Sequence, residues 1–186
     1  GAGGDVTVGL AVGDFGTGDI TVTSAVDVLF SSTVDADRFT QVAGTGTTTF
    51  SGVLDLAGDF AFTGTDLTLS GSGNTVDGSM TVTNAGTFTT SDSSDIVVSS
   101  TFVQNGGGSN TIGDNITATS IEFDTGVTIT SGTGGDEIVF TSGGAAGEDI
   151  TFSATLNNAD DESVRFVAGA GGDVTVGLAV GDFGTG

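Results

Sequence analysis

The 186-residue sequence lacks several residue types on which most protein chemistry depends. Proline, cysteine, tryptophan, tyrosine and histidine are absent, and both basic residues are arginines, so lysine is absent too. Without cysteine the chain forms no disulfide, and cysteine usage cannot assign a compartment. Without histidine, cysteine, lysine and tyrosine, most nucleophilic and acid–base mechanisms are closed, so we expect no enzyme. Without tryptophan and tyrosine, the usual stacking platforms for sugars are missing.

Positive charge is also scarce. Arg38 and Arg165 are the only basic residues, against 24 acidic ones, which gives a formal net charge of −22. Such a surface repels nucleic acid and anionic membranes, so we expect neither as a partner. Apolar stretches fall far short of the ~20 residues needed to cross a bilayer, so no membrane insertion is expected. Cations are the companions that this charge favours.

The residues that are abundant favour an ordered all-β protein. Glycine occurs 34 times, which in many chains signals disorder. Here, however, 36% of the residues are hydrophobic, enough material for a core. Valine, isoleucine, threonine and phenylalanine are strong strand formers, and they dominate over helix formers. We therefore expect many short strands, with apolar side chains inside and threonine, serine, aspartate and asparagine outside.

A long internal repeat dominates the organisation of the chain. The segment 1–18, GAGGDVTVGLAVGDFGTG, returns unchanged as the segment 169–186, so that Gly1 recurs as Gly169 and every later position follows at the same offset. We interpret 1–18 as the end of a preceding repeat unit and 19–186 as one full 168-residue unit, with no separate globular domain. Tandem units of this kind build stacked arrays in which each repeat contacts its neighbours.

A shorter, 21-residue period runs inside the unit. Segments such as GDFAFTG (58–64) and TDLTLSG (65–71) alternate apolar and polar residues, as half-buried strands do, and glycine-rich turns separate them. Bulky apolar residues recur at nearly constant spacing, at Phe39, Phe60, Met80, Phe102 and Phe123. We expect them to stack as one column, which continues two steps later at Phe166. This period predicts an all-β, right-handed parallel β-solenoid of about 21-residue coils, eight per 168-residue repeat. Eight coils would rise about 38 Å at a strand spacing of ~4.8 Å.

A tandem array of antiparallel β-sandwich domains is the alternative architecture. The nearly constant 21-residue step and the absence of proline-containing linkers favour the solenoid. Proline is excluded from central strands, and every coil of a solenoid is central to the coils above and below it.

The segment TQVAGTGTTTFSGVLDLAGDFAFTGTDLTLSGSGNTVDGSMTVTNAGTFT (40–89) resembles filamentous-haemagglutinin-like and autotransporter-type bacterial surface proteins. The resemblance extends over the whole chain as low-complexity Thr/Gly/Val patterning. It implies a right-handed parallel β-helix in a long protein that holds adhesive or effector domains away from the cell. It also implies a location at the cell surface or outside the cell.

Calcium is the one cofactor that the sequence suggests, because several acidic residues occur in glycine-rich turns that resemble degenerate calcium-binding nonapeptides. The candidate ligands are Asp136, Glu137, Glu148, Asp149, Asp160, Asp161 and Asp173. The alternative is that these carboxylates are solvated turn residues. One 168-residue unit has a charge of −20, which is the −22 of the chain without Asp5 and Asp14. Over about 38 Å this approaches the charge density of duplex DNA, so counterions must gather around it.

Together these observations predict a structural segment of a long extracellular filament or adhesin stalk. The expected partners are identical units joined end to end, covalently or by stacking, and neighbouring fibres bridged by divalent cations. A calcium- or glycan-binding repeat module of a surface adhesin is the alternative. Ice binding is disfavoured because the Thr-x-Thr triplets fall at different positions of the 21-residue period.

Overall fold

The computed structural model describes residues 4–13, 18–130, 136–159 and 162–181, and within them the chain forms 23 short strands and no helix. The strands are β1 (Val6–Val8), β2 (Asp19–Val22), β3 (Val28–Phe30), β4 (Val34–Ala36), β5 (Arg38–Gln41), β6 (Thr47–Phe50), β7 (Leu54–Leu56), β8 (Phe60–Gly64), β9 (Asp66–Leu69), β10 (Asn74–Val76), β11 (Met80–Asn84), β12 (Thr87–Thr90), β13 (Ile96–Val98), β14 (Thr101–Gln104), β15 (Ser109–Ile112), β16 (Ile116–Thr117), β17 (Ser120–Phe123), β18 (Val127–Ile129), β19 (Glu137–Thr141), β20 (Ile150–Phe152), β21 (Leu156–Asn158), β22 (Ser163–Val167) and β23 (Val174–Val176).

The strands form three parallel sheets that the chain visits in a fixed order. The first sheet runs β1-β3-β6-β9-β12-β15-β18-β21, the second β4-β7-β10-β13-β16-β19-β22, and the third β2-β5-β8-β11-β14-β17-β20-β23. One strand from each sheet completes a three-sided coil, and every strand pairs with its counterparts one coil away. The protein is therefore a parallel β-solenoid of about eight coils, and the predicted fold class and 21-residue period are confirmed. In the part of the chain that the structure describes, no helix is long and apolar enough to cross a membrane.

The predicted column of bulky residues is correct over four coils and then shifts. Phe39, Phe60, Met80 and Phe102 stack directly on one another in the third sheet. The next residue in that column is Ile121, whereas Phe123 stacks on Gln104, two positions further along the strand. The sequence spacing includes the corner residues, whose number varies, so a constant step does not define a constant register. A shift of two positions keeps the side chain on the inward face, because the side-chain period of a strand is two.

Phe166 departs further from the prediction. It lies in the second sheet, where it pairs with Phe140, and not in the column that begins at Phe39. The cause is the length of the seventh coil. Ile121 of β17 pairs with Ile150 of β20, which lies 29 residues later, whereas earlier steps of this column span 19 to 22 residues. The 21-residue period is therefore an average over coils of different length.

Most of the interior consists of stacked apolar side chains, and aromatic rings stack where phenylalanines meet. The rings of Phe30 and Phe50 lie 4.9 Å apart and nearly parallel, and those of Phe39 and Phe60 lie 5.2 Å apart. Phe39 also meets Phe50 edge to face at 5.1 Å, which joins the stacks of the first and third sheets. Such contacts add to the burial of apolar area, and that burial is the main source of core stability.

Part of the interior is polar, which corrects the expectation that asparagine and threonine cover only the outside. The buried polar side chains include Gln41, Thr48, Asn74, Asn84, Thr90, Ser94, Gln104 and Asn110. The largest connected group surrounds Gln104, whose Nε2 donates to Asn84 Oδ1 at 2.8 Å and to the carbonyl of Gly106 at 3.0 Å. Its Oε1 accepts from Thr125 Oγ1 at 3.0 Å and from Asn110 Nδ2 at 3.2 Å. These bonds satisfy both ends of the Gln104 amide, which would be costly to bury alone.

Candidate functional site: the ends of the stack and the acidic surface

Both ends of the described stack leave strand edges and apolar side chains open. At the first coil, a recess is lined by apolar side chains that include Val8, Val12, Ile20 and Phe30. At the last coil, another recess is lined by Leu156, Val164, Phe166, Val180 and neighbouring polar residues. Unpaired strand edges are templates for further pairing, so these two surfaces can receive additional coils.

The two copies of the repeated segment occupy different sheets. In the first copy, Val6–Val8 lies in the first sheet and Val6 pairs with Val28. In the second copy, Val174–Val176 lies in the third sheet and Val174 pairs with Ile150. The same sequence therefore forms the same strand on two different sides of the solenoid.

The outer surface carries acidic side chains at matching positions of adjacent coils. Asp35 and Asp55 are exposed partners in β4 and β7, one directly above the other. Asp55 also accepts a hydrogen bond from the Thr75 hydroxyl of the following coil. Stacked like charges destabilise a sheet, so the surrounding counterions contribute to the stability of this surface.

Among the calcium candidates, the structure places Asp149 and Asp173 in adjacent coils. They directly precede β20 and β23, and the Asp149 carboxylate accepts a hydrogen bond from the Asp173 backbone N–H at 2.8 Å. Glu148 accepts from the backbone N–H of Ala145 at 2.6 Å, which closes a local turn. These carboxylates thus have structural roles as acceptors at corners.

The remaining calcium candidates lie on the second sheet or outside the described residues. Asp136 precedes β19, and its carbonyl accepts a hydrogen bond from the Ser163 backbone N–H at 2.9 Å. Glu137 forms an ion pair with Arg165 of the next coil at 2.9 Å. Asp160 and Asp161 are outside the described residues. Within the described ranges, no group of three or more acidic side chains is arranged so that it could hold a metal ion, and calcium binding stays a prediction.

Sequence reasoning missed one acidic cluster, which forms at the corner between the first and second sheets. Asp114 lies near Asp95 and Asp92, and Asn115 Nδ2 donates to Asp95 Oδ1 at 2.8 Å. Burial raises the pKa of Asp114 from 3.8 to about 6; the negative charges of Asp95 and Asp92 raise it too, while a hydrogen bond from the Asn115 backbone N–H lowers it. In the sequence, Asp114 lies about a coil length after Asp92 and Asp95, so only the register brings it close to them.

Comparisons with known proteins give no relative from which a function could be transferred. No protein-family model, no curated protein and no solved structure matches the chain. Function must therefore be inferred from the solenoid itself, an architecture that it shares in general terms with β-helix repeat proteins.

Proposed function

We propose that the chain is a structural segment of a long extracellular filament or adhesin stalk, assembled from tandem, nearly identical 168-residue units. The observation that supports this most directly is the parallel pairing that runs without a break through each of the three sheets. The unchanged return of the segment 1–18 at 169–186 supports a continuation of the same stack from unit to unit.

The mechanism is passive stiffness. Backbone hydrogen bonds between coils run along the long axis, so bending or stretching the filament strains many of them together. The stacked phenylalanines and the buried amides around Gln104 also connect one coil to the next. Because each coil contacts only its neighbours, adding units increases length without changing the local structure.

The acidic coat governs how filaments approach one another. With a net charge of −22, parallel filaments repel at low ionic strength, and divalent cations or high salt permit side-by-side packing. The proposed lateral partners of a filament are therefore its neighbouring filaments, and the proposal includes neither nucleic acid nor the membrane interior as a partner. Bundle spacing that ignored both EDTA and ionic strength would contradict this part of the proposal.

The proposed location is the cell surface or the extracellular space, and the proposal includes no catalysis. Its support is the resemblance of the segment 40–89 to filamentous-haemagglutinin-like and autotransporter-type surface proteins, together with the missing histidine, cysteine, lysine and tyrosine. Surface labelling of intact cells tests the location, and an assay of polysaccharide cleavage tests the absence of catalysis.

Fibre diffraction or cryo-electron microscopy of the native assembly tests the architecture. The proposal requires a ~4.8 Å spacing along the fibre axis that continues without a break across unit boundaries. Separate beads without that axial spacing would contradict it.

A further inference from the structure

The positions of the repeated segment define how consecutive units must join, if the proposed filament exists. Between β1 and β23 the chain passes through seven complete coils and two further sides, since it goes from the first sheet of one coil to the third sheet of a later one. The equivalent residues Val12 and Val180 are also separated by seven coils and two sides. Val12 pairs with Val34 of the second sheet, and Val180 pairs with Leu156 of the first sheet. The 168-residue unit is thus one side short of eight coils.

We propose that consecutive units join through the shared segment, in a junction that we call the splice, and that this junction rotates each unit by one side of the solenoid about the long axis. In a tandem chain, the segment at 169–186 of one unit is also the segment at 1–18 of the next. The third sheet of one unit then continues as the first sheet of the next, the first as the second, and the second as the third. Successive units are rotated by about 120°, with a rise of about 37 Å.

The backbone hydrogen bonds support this splice, because the two copies use different groups. The first copy bonds the coil above it through the N–H groups or carbonyls of Gly4, Val6, Val8 and Val12. The second copy bonds the coil below it through Asp173, Gly177, Ala179 and Gly181. In the numbering of the first copy, these are positions 5, 9, 11 and 13, which are all odd, whereas the positions used by the first copy are all even. One strand can therefore satisfy both neighbours at once without using any group twice.

The side chains of the segment are equally compatible. Val6 and Val8 stack on the buried Val28 and Phe30, and the equivalent Val174 and Val176 stack on the buried Ile150 and Phe152. The same two valines thus face inward in both copies. Val6 is 37% exposed and Val174 is 43% exposed, and each lacks the neighbour that the other copy has. In the splice, the shared valines would be covered from both sides.

The splice also predicts where the two arginines lie. The inward side chains of β22 are Val164 and Phe166, and those of β2 are Ile20 and Val22, so Arg165 faces outward beside Asp19 or Thr21 of the next unit. Asp19 of β2 lies directly opposite Arg38 of β5 in the strand register, so both side chains are on the same face. Arg165 and the next unit's Arg38 would therefore lie on one face, two coils apart. In a junction of eight full coils they would lie on different faces.

The splice is tested by cryo-electron microscopy of a three-unit chain, in which two further copies of the unit 19–186 follow Gly186. The connection 142–149 is a natural landmark, since it is much longer than the five earlier connections between the second and third sheets. We expect this protrusion once every ~37 Å, rotated by about 120° each time beyond any slow twist of the sheets.

Two other results are informative. A continuous solenoid with all protrusions on one face would overturn the splice and leave the proposed filament intact. Separate particles, with a break in the axial spacing between units, would overturn both the splice and the proposed filament.

A spin-label measurement on a shorter chain, in which one further copy of the unit 19–186 follows Gly186, tests the same point without an image reconstruction. Leu29 of the second unit should lie on the face of Thr151 of the first unit, two coil spacings or about 10 Å away. If the units joined in phase, the same Leu29 would instead share a face with Asn157 of β21. Labels at Leu29 and Thr151 are therefore expected to be closer than labels at Leu29 and Asn157, and the reverse order would contradict the splice.

Discussion

The side chain of Gln104 donates a 2.8 Å hydrogen bond to Asn84, which lies one coil below it in the interior of the solenoid. Gln104 is fully buried, and its side-chain carbonyl oxygen accepts from Thr125 and Asn110. Gln104→Leu keeps much of the volume and removes these bonds. Asn84 Oδ1 then loses its donor, whereas Asn110 and Thr125 keep their bonds to the carbonyls of Gly126 and Gly108. We expect Gln104→Leu to lower the free energy of unfolding by about 1–3 kcal/mol, measured by denaturant unfolding.

Gln41 offers a matched control, because it occupies the equivalent inward position of β5. Its Oε1 accepts one hydrogen bond, from Thr48 at 2.8 Å, and within the described residues its Nε2 has no partner. Gln41→Leu removes a buried, unsatisfied donor and is expected to cost less than Gln104→Leu. Equal costs at the two positions would show that the network around Gln104 adds nothing beyond the burial of an amide.

Close stacking of backbone at a corner makes Gly108 sensitive to substitution. A Cβ at Gly108 would overlap the carbonyl oxygen of Gly86 in the coil below and lie 2.7 Å from Asn84 Nδ2. Because the overlapped atom is backbone, the coils must shift, and Gly108→Ala should lower the free energy of unfolding by about 1–3 kcal/mol. A Cβ at the adjacent Gly107 meets nothing within 4 Å, so Gly107→Ala should be neutral or slightly stabilising. Thermal melts followed by circular dichroism compare the two, and similar losses would contradict this account.

The sequence predicts much of the fold because strand alternation and stacking are local. The column through Phe39, Phe60 and Met80 follows from spacing alone, since each coil there has nearly the same length. The shift at Phe123 does not follow, because corners of different length change the register without changing which side chains face inward. Gln104 was predictable in part, since it lies two positions after Phe102 and so shares its inward face.

The acidic cluster at Asp114 was not predictable from spacing, because it depends on how corners of successive coils superpose. Only the structure shows that Asp114 and Asp95 lie together. The rotation of the repeated segment was hidden for a similar reason. The sequence fixes the length of the unit, but the number of sides in that length depends on each corner.

Acidification should stabilise the fold through Asp114. Its pKa in the folded protein is about 6, above the ordinary 3.8, so the folded state binds this proton more tightly than the unfolded state. The contribution is fully present below about pH 4 and is lost as the pH rises through 6. We therefore expect Asp114→Asn to raise the melting temperature at pH 7.5 and to change it little at pH 3.5. The exposed Glu122 provides a control, since Glu122→Gln also removes one negative charge. A gain from Asp114→Asn that was the same at both pH values would contradict the prediction.

Salt should stabilise the fold where like charges stack. Asp35 and Asp55 are exposed partners in adjacent coils, and Asp55 also accepts from Thr75, so Asp35 is the side chain to change. At low ionic strength, we expect Asp35→Asn to raise the free energy of unfolding by about 0.2–1 kcal/mol, because it removes the repulsion between stacked carboxylates. The gain should shrink at high salt, where the Debye length falls to ~3 Å at 1 M.

Glu122→Gln is the control for this experiment as well, because Glu122 pairs with Val103 and Thr151 and with no acidic side chain in its sheet. The effect of Glu122→Gln reports only the general reduction of net charge, whereas Asp35→Asn also removes the local repulsion between Asp35 and Asp55. Urea unfolding of both variants at several sodium chloride concentrations separates the two contributions. If both variants gained equally at every salt concentration, the repulsion would belong to the whole acidic coat and not to stacked pairs. Salt and divalent cations would then act on the filament through its overall charge alone.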